Sequence, residues 1–163
     1  MKILLVSDTH GRTNDFIDIV ENNKFDYIIH CGDSEEPKEM FYFDLYIVRG
    51  NSYNDDNYPY ELELNINNIK FFVTHGHQYL VNNGLGLLKE KAIAIGAQVV
   101  CFGHTHLPSI LKENGILYVN PGSLALPRKS SKASYMVIEL KETIKITHYD
   151  ISNKEISSYE TSN

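Results

Sequence analysis

The stretch Cys101-Phe102-Gly103-His104-Thr105-His106 sets two imidazoles just beyond the run Gln98-Val99-Val100-Cys101-Phe102. That run is short, apolar and β-branched, and reads as a buried strand. The histidines therefore stand where a strand gives way to a loop. Gly103 lets the backbone bend there without a Cβ penalty, and residues i and i+2 of a still-extended chain project the same way. Two nitrogen ligands are then expected to point into one cavity. A His-x-His pair alone is a weak signal, and its weight depends on matching oxygen ligands elsewhere.

Those ligands follow four other apolar runs. Residues 2–7 lead into Asp8-Thr9-His10-Gly11, and residues 26–31 into Gly32-Asp33. Residues 45–48 lead into Arg49-Gly50-Asn51, and residues 69–73 into Thr74-His75-Gly76-His77. In open α/β sheets the site lies outside the carboxyl ends of the strands, which gives this repetition a geometric reason.

The ordered set Asp-x-His, Gly-Asp, Gly-Asn, His-Gly-His and Gly-His-Thr-His resembles the calcineurin-like metallophosphoesterases, over residues 1 to 149. The short length points to their small single-domain phosphodiesterase branch, to which the Vps29 retromer subunit is related. The resemblance implies an α/β sandwich of two mixed β-sheets flanked by α-helices. It also implies two divalent metal ions, one held by Asp8, His10, Asp33 and His106, the other by Asp33, Asn51, His75 and His104, with Asp33 bridging. Asp33, Asn51, His75 and His77 form the candidate catalytic set. A donor set of carboxylate, amide oxygen and imidazole without thiolate suits Mn²⁺, with Zn²⁺, Ni²⁺ or Fe as alternatives. Two divalent ions outweigh two carboxylates and one bridging hydroxide, so a net positive charge remains to meet a phosphodiester that the hydroxide attacks. A non-catalytic Vps29-like interaction scaffold and a phosphomonoesterase or nucleotidase are the competing readings. One departure from the family pattern stands out: the Gly-Asn motif is often followed by His or by Cys-Asp, and here by Ser52-Tyr53. A His there would help protonate the leaving oxygen. Its absence predicts a preference for diesters with good leaving groups.

The 163 residues, 42% of them hydrophobic, are enough for one compact domain without a structural staple. Residues 1–150 are read as that domain and 151–163, rich in Ser, Asn, Glu and Thr, as a polar fraying tail. A net charge of −6 argues against an extended nucleic-acid-binding or membrane-binding surface. With no apolar run near the ~20 residues of a membrane span and no leader-like start, a cytoplasmic protein is expected, acting on a small phosphodiester, with a homo-oligomer left open. Cys31 and Cys101 lack a CxxC spacing and are read as small buried hydrophobes.

Along the chain, a helix is expected from a cap at Asn14 or Asp15 with Phe16, Ile19 and Val20 as its buried stripe. The strands on either side of it are expected to be parallel neighbours. Residues 34–41 read as a short helical connection and Asn51 to Pro59 as a loop bordering the site. Residues 61–66 and 69–73 form a hairpin across Asn67-Asn68, marking a change to antiparallel structure. A second helix carries Leu85, Leu88, Ala92 and Ile95 and ends at Gly96. Two further pairs of strands follow, 110–112 with 116–119 and 134–140 with 143–149. His30 is read as structural and His148 without a role. His77 is open between substrate contact, support of a ligand and packing. Arg49 and the tyrosines Tyr53, Tyr58 and Tyr60 are open between substrate contact and ordinary solvation or packing.

Overall fold

The structure is a computed structural model that describes residues 1–162. Strand β1 (Lys2–Val6) is apolar on both faces, and its alternate residues serve two different cores. Leu4 and Val6 pack with Phe16 and Ile19 of helix α1 (Thr13–Glu21), while Ile3 and Leu5 point the other way, toward a second sheet. Burial of one such side chain is worth about 1.5–3 kcal/mol.

β1 pairs in parallel with β2 (Tyr27–His30), as a right-handed crossover through α1 requires. The first sheet has six strands in the order β11-β10-β9-β1-β2-β3, where β3 is Tyr46–Ile47, β9 Ser134–Leu140, β10 Thr143–Asp150 and β11 Glu155–Ser162. The second has five, in the order β4-β5-β6-β8-β7, with β4 Glu61–Ile66, β5 Ile69–Thr74, β6 Val99–Cys101, β7 Ser109–Glu113 and β8 Ile116–Asn120. Both sheets mix parallel and antiparallel pairs, and they face one another across Ile3, Leu5, Ile29, Phe71, Val73, Val99 and Ile138. Helix α2 (Gly86–Ile95) covers the outer face of the second sheet, setting Leu88 and Ala92 against Phe72, Val100 and Tyr118. It ends at Gly96 in the left-handed conformation, as expected. The expected two-sheet, helix-flanked sandwich is what the chain forms.

Several local expectations change. Residues 155–162 are not a fraying tail: they form the edge strand β11, paired with β10 from Thr143 to Tyr149 with a register shift between His148 and Tyr149. Their polar composition reflects an exposed edge, where Ser, Glu and Thr are compatible with strand pairing. The last residue of that expected tail, Asn163, lies outside the described residues. Helix α1 starts at Thr13, with Arg12 before it and no side-chain cap from Asn14 or Asp15. The connection 34–41 contains only a single 3₁₀ turn, Lys38–Met40, after Pro37. The β4–β5 hairpin does not end parallel pairing, because β5 runs parallel to β6, and β6 to β8. Among the described residues no helix is long and apolar enough to cross a membrane.

Candidate metal centre

The parallel strands β1, β2, β3, β5 and β6 deliver Asp8, Asp33, Asn51, His75 and His104 to one end of the sandwich. The loops there keep hydrogen bonding past the strand ends, with the amides of Asp8, His10 and Gly11 donating to the carbonyls of Gly32, Asp33 and Ser34. The site thus sits on an extension of the sheet rather than on free loops. Asp8, His10, Asp33, His104 and His106 all hold positive φ, between 41° and 66°. Non-glycine residues pay for that conformation, and it gathers at functional sites. It also corrects one expectation: the chain from His104 to His106 is not extended, so the two side chains reach different groups. The His106 Nε2 lies 3.0 Å from Asp8 Oδ1, while the His104 ring stands 5.1 Å from that of His75.

Two glycines are required by how closely the loops approach. A Cβ at Gly50 would stand 1.9 Å from Asp33 Oδ1, and one at Gly103 would stand 1.9 Å from Ser7 Oγ and 2.7 Å from Asp8 Oδ2. Both backbones press directly on the carboxylates and fix where those point.

The protonation pattern shows what the centre is built to receive. His75 Nδ1 lies 2.6 Å from the Cys31 carbonyl and His106 Nδ1 2.7 Å from the Leu126 carbonyl. A carbonyl only accepts, so each Nδ1 carries a proton and each Nε2 is left to meet a metal ion or, without one, a second proton. His10 Nδ1 lies 2.8 Å from Glu35 Oε1, with the same consequence. The freed nitrogens converge. His10 Nε2 and His106 Nε2 are 3.4 Å apart, and His75 Nε2 is 3.3 Å from Asp33 Oδ2 and 3.1 Å from Asn51 Oδ1. Nitrogens and oxygens set so close to one another repel unless a proton or a metal ion lies between them.

Asp8 shows the same demand. Its Oδ2 accepts from the Ser7 hydroxyl at 2.6 Å and the His104 amide at 3.1 Å, whereas Oδ1 is fully buried without a hydrogen-bond partner. Around that oxygen stand His106, His10 and His75, with Nε2 distances of 3.0, 3.8 and 3.9 Å. Among the described residues two groups have metal-holding geometry, Asp8 with His10 and His106, and Asp8 with Asp33 and His75. Asp33 Oδ2 reaches into both, at 3.8 Å from His10 Nε2 and 3.3 Å from His75 Nε2. The donors therefore fit two divalent ions. Both thiols are excluded from this set: Cys31 and Cys101 face the core between the sheets, and burial raises their pKa.

The charges answer one another. Burial opposes ionisation of Asp8 and Asp33, yet neighbouring imidazoles, His106 and His75 for the first and His75 for the second, hold both below the usual carboxylate range. Burial likewise opposes the charged form of His75 and of His106, but Asp33 and Asp8 outweigh it and raise both. In His104 and His77 burial prevails, with His75 adding to it, and their pKa values fall. His77 stands beside the centre, its ring 5.4 Å from that of His75 and its buried Nδ1 without a partner.

His30 is structural, as read. It accepts from the Gly32 amide at Nδ1 and so donates from Nε2 to Thr9 Oγ1 at 3.0 Å, holding the turns that carry Asp8 and Asp33. His148 is buried on β10, two strands across the sheet from β1. Arg49 lies 4.9 Å over Tyr60 and pairs with Asp56. Tyr58 is buried and donates to the Glu36 carbonyl, and Tyr53 is 74% exposed.

Sequence reasoning missed Asp55, fully buried in the loop after β3. Its Oδ2 accepts from the amides of Asp33 (2.7 Å) and Gly50 (2.9 Å), and its Oδ1 from the Glu35 amide (3.0 Å) and the Ser34 hydroxyl (3.2 Å). One carboxylate thus ties together the two loops that carry Asp33 and Asn51. The only signal was an acidic residue in a loop already placed next to the site. Glu35 was missed as well, and Ser123, in the family-like segment Asn120-Pro121-Gly122-Ser123, was given no role; it donates to the Asp8 carbonyl and accepts from the amides of Ala125 and Leu126.

The model of the calcineurin-like phosphoesterase superfamily domain matches residues 1–143. The chain belongs to that superfamily. Similar proteins include the "Probable metallophosphoesterase YsnB" of Bacillus subtilis, 34% identical over 96% of this chain and 95% of that one. The "Phosphodiesterase MJ0936" of Methanocaldococcus jannaschii is 30% identical over 75% of this chain and 83% of its own length. Among solved structures, a conserved protein of Streptococcus pneumoniae described as a predicted phosphoesterase superposes with a TM-score of 0.91 at 28% identity, covering 99% of this chain and 97% of its own. The superfamily member described here is a metal-binding phosphoric ester hydrolase of the small single-domain branch.

Proposed function

We propose that this chain hydrolyses phosphodiesters with two divalent ions, Mn²⁺ serving in vitro. The ions would sit in the expected sets, Asp8, His10, Asp33 and His106 for one and Asp33, Asn51, His75 and His104 for the other. The single observation that carries the reading is the fully buried Asp8 Oδ1, which among the described residues accepts from no hydroxyl or amide and around which three imidazole Nε2 atoms gather. Bound there, the ions would supply Lewis acidity, acidifying a water and neutralising charge on the phosphoryl oxygens. The chain's own residues do the rest. Glu35 and the Cys31 and Leu126 carbonyls fix the imidazole tautomers, and Asp55 holds the Asp33 and Asn51 loops in register. His77, its ring beside that of His75, is assigned contact with a phosphoryl oxygen at the rim.

After Asn51, the Ser52 amide donates to Asp33 Oδ1 at 2.8 Å and the Tyr53 ring stands in solvent, so no imidazole occupies that place. Leaving groups must then depart with little help from a proton, which favours activated diesters over alkyl monoesters. The protein is placed in the cytoplasm with a small substrate, and the net charge of −6 argues against an extended nucleic-acid surface. The test is hydrolysis of bis-p-nitrophenyl phosphate by metal-stripped protein, with and without Mn²⁺, beside Asp33→Asn. Activity that returns with metal and collapses in the variant is expected. A folded wild-type protein inert with Mn²⁺, Zn²⁺, Ni²⁺ and Fe²⁺ alike would hand the case to the scaffold reading. Faster cleavage of alkyl monoesters than of aryl diesters would overturn the leaving-group argument.

A further inference from the structure

A cavity of about 350 Å³ opens beside the proposed metal centre, lined by Val81, Leu85, Phe102, Thr105, Leu107, Arg128 and Lys129 among others. Its walls are built from the same loops as the site, although none of the candidate ligands lines it. Thr105 lies between His104 and His106 in sequence, and Arg128 comes two residues after Leu126, whose carbonyl holds the His106 ring. Val81 packs on Gly76, which separates His75 from His77, so closely that a Cβ there would meet it at 2.9 Å. Arg128 is near enough to His106 to oppose its protonation.

The chemistry of the lining is unlike that of the chain as a whole. The chain carries a net charge of −6, yet among the described residues no carboxylate lines this cavity, and two cations do. Arg128 and Lys129 are exposed, and among the described residues neither side chain pairs with an acid. Val81, Leu85, Phe102 and Leu107 supply an apolar wall behind them. The volume is at the low end of small-molecule pockets, ~300–1,000 Å³, and accepts one ring-sized group. A guanidinium fork matches a phosphate in two-point contact, and an ammonium adds a point charge.

We propose that this cavity is a subsite for one ester group of the substrate, a ring-sized, partly apolar group that bears a second phosphate, as a nucleoside 3′,5′-bisphosphate unit does. The inference rests on the phosphodiesterase reading for its reaction but not for its binding. Arg128 and Lys129 hold the second phosphate, and the apolar wall takes the ring.

The probes are thymidine 3′,5′-bisphosphate and thymidine 5′-monophosphate, compared by calorimetry on metal-stripped protein and on the Arg128→Gln/Lys129→Gln double variant. The bisphosphate is expected to bind at least tenfold more tightly to the wild type, and the two ligands equally to the variant. A kinetic arm with Mn²⁺ compares the p-nitrophenyl ester of thymidine 5′-phosphate with its 3′-phosphorylated form. The wild-type ratio of kcat/KM is expected to exceed ten and to fall near one in the variant. Equal binding of the two nucleotides by the wild type, or a preference that survives in the variant, overturns the subsite. Preferential binding without turnover of any diester upholds the subsite and removes the phosphodiesterase reading instead. Turnover of bis-p-nitrophenyl phosphate without a binding preference does the reverse.

Discussion

The two halves of the proposed centre are built to different standards. In the half around Asp8, both imidazoles are clamped from behind, His10 by Glu35 and His106 by the Leu126 carbonyl, and Asp8 and His106 are buried. In the other half only His75 is clamped, by the Cys31 carbonyl. Asn51 is exposed, and among the described residues no hydrogen bond reaches a His104 ring nitrogen, that residue being held through its amide on Asp8 Oδ2. A ligand locked by its neighbours loses less freedom when an ion arrives. The lesson is that the two ions should bind in order, the Asp8 half filling first and the Asn51 half more weakly.

The largest effects test that order. His106→Ala removes a clamped ligand from the first half and is expected to lower diesterase activity on the order of 10²–10³-fold, the loss typical of one preorganised group. It should also abolish the tight phase of a Mn²⁺ titration followed by calorimetry. His104→Ala should leave that tight phase in place and remove only the weaker one. If both variants lose the same phase, the halves are equivalent and the comparison fails. Glu35→Gln probes the clamp itself, and tight-phase affinity is expected to fall 10–100-fold with the weak phase unchanged. Asp55 belongs to neither half but joins the loops of both. Asp55→Asn turns acceptors toward amides that then face an NH₂ group, which should cost about 1–3 kcal/mol in urea unfolding. A change under 0.3 kcal/mol would show the loops to be held by something else.

This unevenness also marks where the sequence could be read. The strand interiors were legible from composition alone, since residues 2–6 and 99–101 are buried on both faces and admit no other element at that length. The ligand residues were legible because they recur after strands in a family order. The clamps were not. Glu35 and Asp55 sit in stretches without periodicity, and their partners are backbone amides or imidazoles that sequence spacing does not bring together. The positive φ of Asp8, His10, Asp33, His104 and His106 was equally hidden, because Asp and His adopt it more often than other side chains but far less readily than glycine. β11 was misread because a polar edge strand and a polar tail share a composition, and only its partner β10 distinguishes them.

The smallest effect concerns pH, and here metal-stripped and metal-loaded protein should part. In the stripped protein, His75 and His106 have folded pKa values raised above the ~6.5 of the unfolded chain by Asp33 and Asp8. Their contribution to stability is complete below pH ~6.5 and drains away as pH rises through the folded values. His30 works in the opposite sense. Burial holds it neutral with a pKa lowered to about 4, so between pH ~6.5 and about 4 the unfolded chain takes up a proton that the folded one refuses. Asp8 and Asp33, with lowered pKa values, withdraw their support only further down, as pH falls below the ~3.9 of an unfolded aspartate. The stripped protein should therefore unfold at its highest temperature near pH 6.5 and at lower temperatures on either side. Bound ions need the same imidazoles neutral, so they compete with protons and stabilise more as pH rises. Thermal unfolding at pH 5, 6.5 and 8, in chelator and in Mn²⁺, should show a maximum in the first series and a shift of it to higher pH in the second. Stability of the stripped protein that climbs steadily to pH 8 would mean that His75 and His106 carry no extra proton. The carboxylates around them would then have to be balanced by something other than the imidazoles.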